Sequence, residues 1–163
     1  MKSGGVPMEE RSFRMAEIVP LMRESLANGQ TVQFSPRGIS MLPMLRQGKD
    51  TVTLAAVTGR LKKYDIPLYQ RDDGAYVLHR ITKAGETYTC IGDNQYEYEP
   101  GIRQDQIIAV VSAFSRDGKQ ISVKNTGYIL YTRLWHWSRW PRWMLFRLRR
   151  KTRVILRRIR NKQ

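Results

Sequence analysis

The sequence predicts a mainly β domain with an N-terminal helix ahead of it and a basic amphipathic helical tail behind it. Three observations carry this. Between residues 30 and 125 the apolar residues fall in short, β-branched runs bounded by Gly, Asp and Asn clusters, the pattern of strands and tight turns. On either side the apolar spacing lengthens to three or four residues, as on one face of a helix. The charge divides at the second of these boundaries. The chain carries +15 overall, but Asp117 is its last acidic residue, and 12 of the 29 Lys and Arg lie from Tyr128 onward. The first 127 residues hold 17 basic and 14 acidic side chains and are nearly balanced. The division is therefore 1–29, an N-terminal segment with a short helix; 30–125, the β domain; and 126–163, the basic tail.

Composition narrows the function classes. At 163 residues the chain suits one domain plus an appendage. A hydrophobic content of 41% argues against global disorder. The single cysteine, Cys90, excludes an internal disulfide framework and a cysteine-based metal site, and reads as a small buried hydrophobe. No apolar run approaches the length of a membrane span, and residues 1–14 lack the apolar core of a signal peptide, so a cytoplasmic body is expected.

The elements follow in order. Phe13, Met15, Ile18, Val19, Met22 and Leu26 recur at helical spacing from Ser12 or Phe13 to about Ala27, and Asn28-Gly29 stops the helix. Pro20 implies a kink or two shorter pieces. Strands are expected at Thr31–Phe34, Thr51–Val57, Asp65–Gln70 (an edge strand, from Pro67), Ala75–Thr82, Glu86–Ile91, Gln106–Phe114 and Gln120–Lys124. Turns lie at Arg71-Asp72-Asp73-Gly74, Lys83-Ala84-Gly85 and Arg116-Asp117-Gly118-Lys119. From Thr126, Ile129, Leu130, Leu134, Trp137, Trp140, Met144, Leu145, Leu148, Ile155 and Ile159 trace two amphipathic helices hinged at Trp140-Pro141.

One stretch stands apart: Gly38-Ile39-Ser40-Met41-Leu42-Pro43-Met44. Gly38 can take backbone angles closed to other residues, and Pro43 fixes its own φ and biases Leu42 away from helix. Ser40 therefore sits on a stiff turn with an uncrowded hydroxyl, as a nucleophile requires. A serine needs a base. In Tyr76-Val77-Leu78-His79-Arg80-Ile81, strand alternation puts His79 with Val77 and Ile81, and Leu78 with Arg80 on the other face. That position is more often a core histidine's, and it is also where a base would be kept from water. His136 lies among tryptophans and reads as interfacial. Asp93, in Ile91-Gly92-Asp93-Asn94, is either a plain turn residue or a carboxylate that orients His79.

Taken together, the Ser40 stretch, Gly48-Lys49-Asp50-Thr51-Val52, Leu61-Lys62-Lys63-Tyr64-Asp65-Ile66, Val77-Leu78-His79-Arg80-Ile81 and Ile91-Gly92-Asp93-Asn94 resemble, in order and rough spacing, the catalytic domain of the signal peptidase I and LexA-like serine peptidases. The resemblance covers roughly residues 30–115. It implies a β-rich fold and peptide-bond cleavage without metal or cofactor. Bacterial signal peptidases and LexA-type repressors use a lysine base. The endoplasmic-reticulum type uses a histidine in a block like this one. The resemblance thus implies Ser40 as nucleophile, His79 as general base and Asp93 as acidic partner. Gly38, Met41 and Pro43 would shape the substrate side. The Ser40 backbone N–H would hold the oxyanion. The sequence departs from the family after Asn94, where Gln95-Tyr96-Glu97-Tyr98-Glu99 replaces further aspartates, so Glu97 or Glu99 competes for the acidic role. It departs again in lacking an N-terminal membrane anchor.

The function expected is a serine endopeptidase acting on a peptide or precursor protein. The alternatives are a silent peptide-binding module on the same fold and a LexA-like self-cleaving regulator. The regulator needs a DNA-binding helical unit, for which residues 1–30 are too short. The partner expected for the tail is an anionic membrane surface, reached by Trp135, Trp137, Trp140, Trp143 and their arginines, which places the protein peripherally on the inner face; nucleic acid ranks below it.

Overall fold

A computed structural model describes residues 15–144. The expected helix start at Ser12 or Phe13, and the second tail helix with Leu145, Leu148, Ile155 and Ile159, lie outside them. The chain is β-rich, with helices in the minority. Its elements are α1 (Met15–Ala27), β1 (Val32–Phe34), β2 (Thr51–Ala55), β3 (Pro67–Gln70), β4 (Tyr76–Leu78), β5 (Arg80–Ala84), β6 (Tyr88–Ile91), β7 (Glu99–Ile102), β8 (Ile107–Arg116), β9 (Lys119–Ser122) and α2 (Thr126–Trp137).

The strands form two antiparallel sheets. The larger runs β1-β2-β8-β3-β4 with β9 also pairing β8, and the smaller runs β5-β6-β7. β8 is the spine of the larger sheet, because its long apolar run allows pairing along both edges. β3 lies between β8 and β4 and is not the edge strand expected from Pro67. Proline is tolerated there because it is the first residue of the strand. The expected strand at 75–82 is two strands in different sheets, with His79 at the crossing. Arg80, expected to face away from the core, is buried with His79. β7 contains Pro100 and Gly101 and escaped the pattern for that reason.

α1 is one continuous helix through Pro20, whose side is exposed while Val19, Met22 and Leu26 pack inward. They join Val52, Leu54, Leu68 and Phe114 from the large sheet in the principal core. Met41, Met44 and Leu45 from the Ser40 turn belong to that core. Burial of each stabilises by roughly 1.5–3 kcal/mol, which ties the turn to the sheet. A smaller core under β5-β6-β7 holds Tyr69, Ile81, Tyr88 and Cys90, whose thiol burial pushes up to about 12. In the tail, helix α2 ends at Trp137, and the chain turns at Ser138 and is helical again over 139–144. The break therefore precedes the expected Trp140-Pro141 hinge. Pro141 sits in the first turn of the new helix, where a missing N–H costs nothing.

Candidate active site

The Ser40 turn is fixed from three sides. Gly38 has φ +91°, a conformation that explains the glycine, and its N–H donates to Gln47 Oε1 at 2.8 Å. Met41 and Met44 anchor the following residues in the core. The Gly92-Asp93-Asn94 loop closes over the far side: Asn94 N–H donates to the Ser40 carbonyl at 2.8 Å, and Asn94 Nδ2 donates to the Ile39 carbonyl at 3.2 Å. The approach is close enough to demand glycine at 92. A Cβ there would meet the Ser40 carbonyl oxygen at 2.7 Å and Gln95 Oε1 at 2.8 Å. Ser40 N–H has no hydrogen-bond acceptor among the described residues.

His79 is held where the chain leaves the large sheet at Leu78 and enters the small one at Arg80. The Tyr64 N–H donates to the Ile81 carbonyl at 2.8 Å, and the Ile81 N–H donates to the Asp65 carbonyl at 2.9 Å, which locks the crossing. The ring is 5% exposed. Its Nδ1 lies 3.4 Å from the Tyr69 hydroxyl and 3.5 Å from Glu99 Oε2. Glu99 is in turn gripped by Arg71, with Nε at 2.5 Å and Nη2 at 2.7 Å, and by the Tyr69 hydroxyl at 2.7 Å.

These contacts set the protonation states. Burial pushes His79 below its ordinary 6.5, Glu99 opposes that shift, and Arg71 adds to it. The ring is neutral at neutral pH. Burial raises Glu99, but the hydrogen bonds from Arg71 and Tyr69 outweigh it and hold the carboxyl below its ordinary range. Burial and the Glu99 hydrogen bond raise Tyr69, so its hydroxyl stays protonated and donates. A neutral imidazole whose Nδ1 faces a carboxylate carries its proton on Nδ1, leaving Nε2 as the acceptor.

Asp93 is not the carboxylate at this ring; that is Glu99. Asp93 accepts from Arg80 Nε at 2.8 Å and Nη2 at 2.6 Å, with both side chains buried. Arg80 Nη1 also donates to the Tyr128 hydroxyl at 2.9 Å and the Tyr64 carbonyl at 3.1 Å. Burial disfavours the Arg80 cation, but the Asp93 charge and these hydrogen bonds outweigh it and raise its pKa. The Asp93 carbonyl accepts from Trp135 Nε1 at 3.1 Å. The loop therefore joins the Ser40 turn, the residue after His79, and α2.

Ser40 and His79 line the same open cleft of ≈ 210 Å³, together with Gly38, Met41, Arg37, Arg71 and the β4 residues Tyr76, Val77 and Leu78. No hydrogen bond joins Ser40 Oγ to the ring among the described residues. Met41 is a core side chain that also reaches the cleft. Pro43 is not one of the residues lining it; its carbonyl accepts from Arg116 Nη1 at 3.2 Å on another side of the turn. Tyr69, in β3, and Arg71, just after that strand ends at Gln70, escaped the sequence reading as site residues. Among the described residues, no group of three or more His, Cys, Asp or Glu side chains is placed to hold a metal ion. None of their helices is long and apolar enough to cross a membrane. Compared with known proteins, the chain matches no family model, no curated protein and no solved structure.

Proposed function

We propose that the protein is a serine endopeptidase in which Ser40 attacks a peptide carbonyl and His79 takes its proton. The observation that carries this reading is the shared cleft: a serine on a clamped turn and a buried, neutral histidine whose Nδ1 faces Glu99 while Nε2 is left to accept. In the first step the Oγ–C bond forms, the proton passes to Nε2, and the tetrahedral oxyanion gathers at the unoccupied Ser40 N–H. In the second, the C–N bond breaks and the imidazolium protonates the leaving amine. Water, deprotonated by the same ring, then releases the acyl group. Glu99 orients the ring and stabilises its charged form, while Arg71 and Tyr69 orient Glu99. In substrate-free sites the serine–histidine bond is often long and tightens only with substrate in place.

The substrate class is an extended peptide or precursor segment lying in the cleft. The setting is cytoplasmic, with the protein peripheral on the inner face of a membrane. The missing Ser40–His79 hydrogen bond favours one other reading, a peptide-binding module without catalysis. Labelling with a fluorophosphonate probe separates the two. An active site gives one adduct, mapped to Ser40, that is lost in Ser40→Ala and strongly slowed in His79→Ala. A binding module gives no Ser40 adduct, or equal labelling in wild type and His79→Ala.

A further inference from the structure

Helix α2 packs on the body with its aromatic and polar face. Tyr128 and Thr132 are buried, and Tyr131 and Trp135 are partly so. The residues that form its apolar stripe by spacing are left in solvent: Leu130 is 58% exposed, Leu134 55%, Trp137 79%, and Trp140 in the next helix 67%. Withdrawing that stripe from water is favourable, yet no described residue covers it.

Beside the stripe lies a pocket of ≈ 340 Å³ lined by Tyr98, His136, Trp137, Arg139 and Trp140, among others. Arg139 is 8% exposed, and no carboxylate is within ion-pair reach of it among the described residues. Its Nη1 donates to the Gln95 carbonyl, but its buried Nε has no partner there, and neither does the buried Nδ1 of His136 in the same pocket. Burial pushes Arg139 below its ordinary value, as expected for a cation without a counter-charge. A buried, unpaired guanidinium is costly unless an anion joins it. No residue after Asp117 is acidic, and 12 basic residues follow from Tyr128 onward.

We infer that this face docks on an anionic membrane, with a phospholipid headgroup entering the pocket against Arg139 and the exposed stripe of Leu130, Leu134, Trp137 and Trp140 lying at the acyl boundary. The phosphate would complete the guanidinium's hydrogen bonds bidentately. Indole rings favour the headgroup depth, and a run of basic residues is drawn to anionic lipid. This inference does not depend on the peptidase reading. It would explain why the loop 92–98, which holds the Ser40 turn, also walls the pocket: a docked membrane would steady that loop.

The test is co-sedimentation of the full chain with vesicles of phosphatidylglycerol and phosphatidylcholine, or of phosphatidylcholine alone, with tryptophan emission read in parallel. Binding and a blue shift are expected on the anionic vesicles only. Trp137→Ala/Trp140→Ala changes two exposed side chains and leaves the fold intact; it should weaken vesicle binding by about tenfold or more. Arg139→Gln, checked for folding by circular dichroism, should erase the preference for anionic vesicles over neutral ones at a salt concentration that screens the tail. Displacement from the vesicles by soluble glycerol phosphate would mean a small-anion site and overturn the docking. Unchanged binding by both variants would assign the attraction to the basic tail alone and also overturn it. Tighter binding to duplex DNA than to anionic vesicles would overturn it in favour of a nucleic-acid surface.

Discussion

Gly92→Ala is the substitution that probes most sharply how the serine is placed. Gly92 is buried and its Cβ would sit 2.7 Å from the Ser40 carbonyl oxygen, whereas ordinary contact begins at 3.4 Å, so one partner must give by about 0.7 Å. The obstacle is backbone, and that carbonyl also accepts the 2.8 Å bond from Asn94 N–H. Overpacking of this kind costs about 1–3 kcal/mol of stability. A displacement approaching 1 Å at a reacting group slows chemistry by on the order of a hundredfold. The assay pairs a urea melt with the rate of probe labelling at Ser40. Gly118→Ala is the control. Gly118 lies in open space at φ +78°, so alanine there costs about 1–2 kcal/mol through strain and should leave the labelling rate alone. Should Gly92→Ala fold and label at the wild-type rate, the loop does not position the nucleophile and the reasoning fails.

Other perturbations separate the roles of the two carboxylates. Asp93→Ala strands a buried Arg80 and should destabilise by about 3–5 kcal/mol; a loss below 1 kcal/mol, measured by denaturant melting, would contradict a structural role. Glu99→Gln removes a charge that raises His79, so labelling should slow and its acid limb move to lower pH; an unchanged limb would detach Glu99 from the ring. Stability should be level between pH 6.5 and about 9; above that, Cys90, held above its ordinary value in the fold, gives up its proton only when unfolded, so stability falls. Below 6.5, His79 and His136, both held under their ordinary value in the fold, take up protons only when unfolded, so stability falls. Below about 4.5 the loss steepens, because Glu99 and Asp50 are held down in the fold and their contribution disappears as pH drops through their folded values. A melting temperature that rises on acidification from 6.5 would contradict this assignment.

Much of the fold was legible because the strands carry their own punctuation. β2, β6 and β8 lie inside the runs that β-branching and Gly/Asp turns marked, or within two residues of them. β7 was hidden because Pro100 and Gly101 belong to no strand pattern. The split at His79 was hidden because alternation reports faces and not sheet membership. The stiff turn at Ser40 and the shielded setting of His79 could be read locally, from Gly38 and from the apolar neighbours Val77 and Ile81. The choice among Asp93, Glu97 and Glu99 could not, because it depends on which carboxylate Arg80 captures. That arginine is next to the histidine in sequence and buried with it. It takes the nearer-looking aspartate, and Glu99 arrives from a strand the sequence did not reveal. In the tail, periodicity found an apolar stripe that stays exposed, while the body packs on the aromatic and polar face, and Trp135, expected at the membrane, instead donates to the Asp93 carbonyl.

The most direct test of the account is the pH dependence of Ser40 acylation in wild type and in His79→Ala. The account expects a wild-type rate that falls along a single titration below pH 6.5, and a His79→Ala rate near background with that titration gone. The same rate and the same profile in both proteins would contradict it.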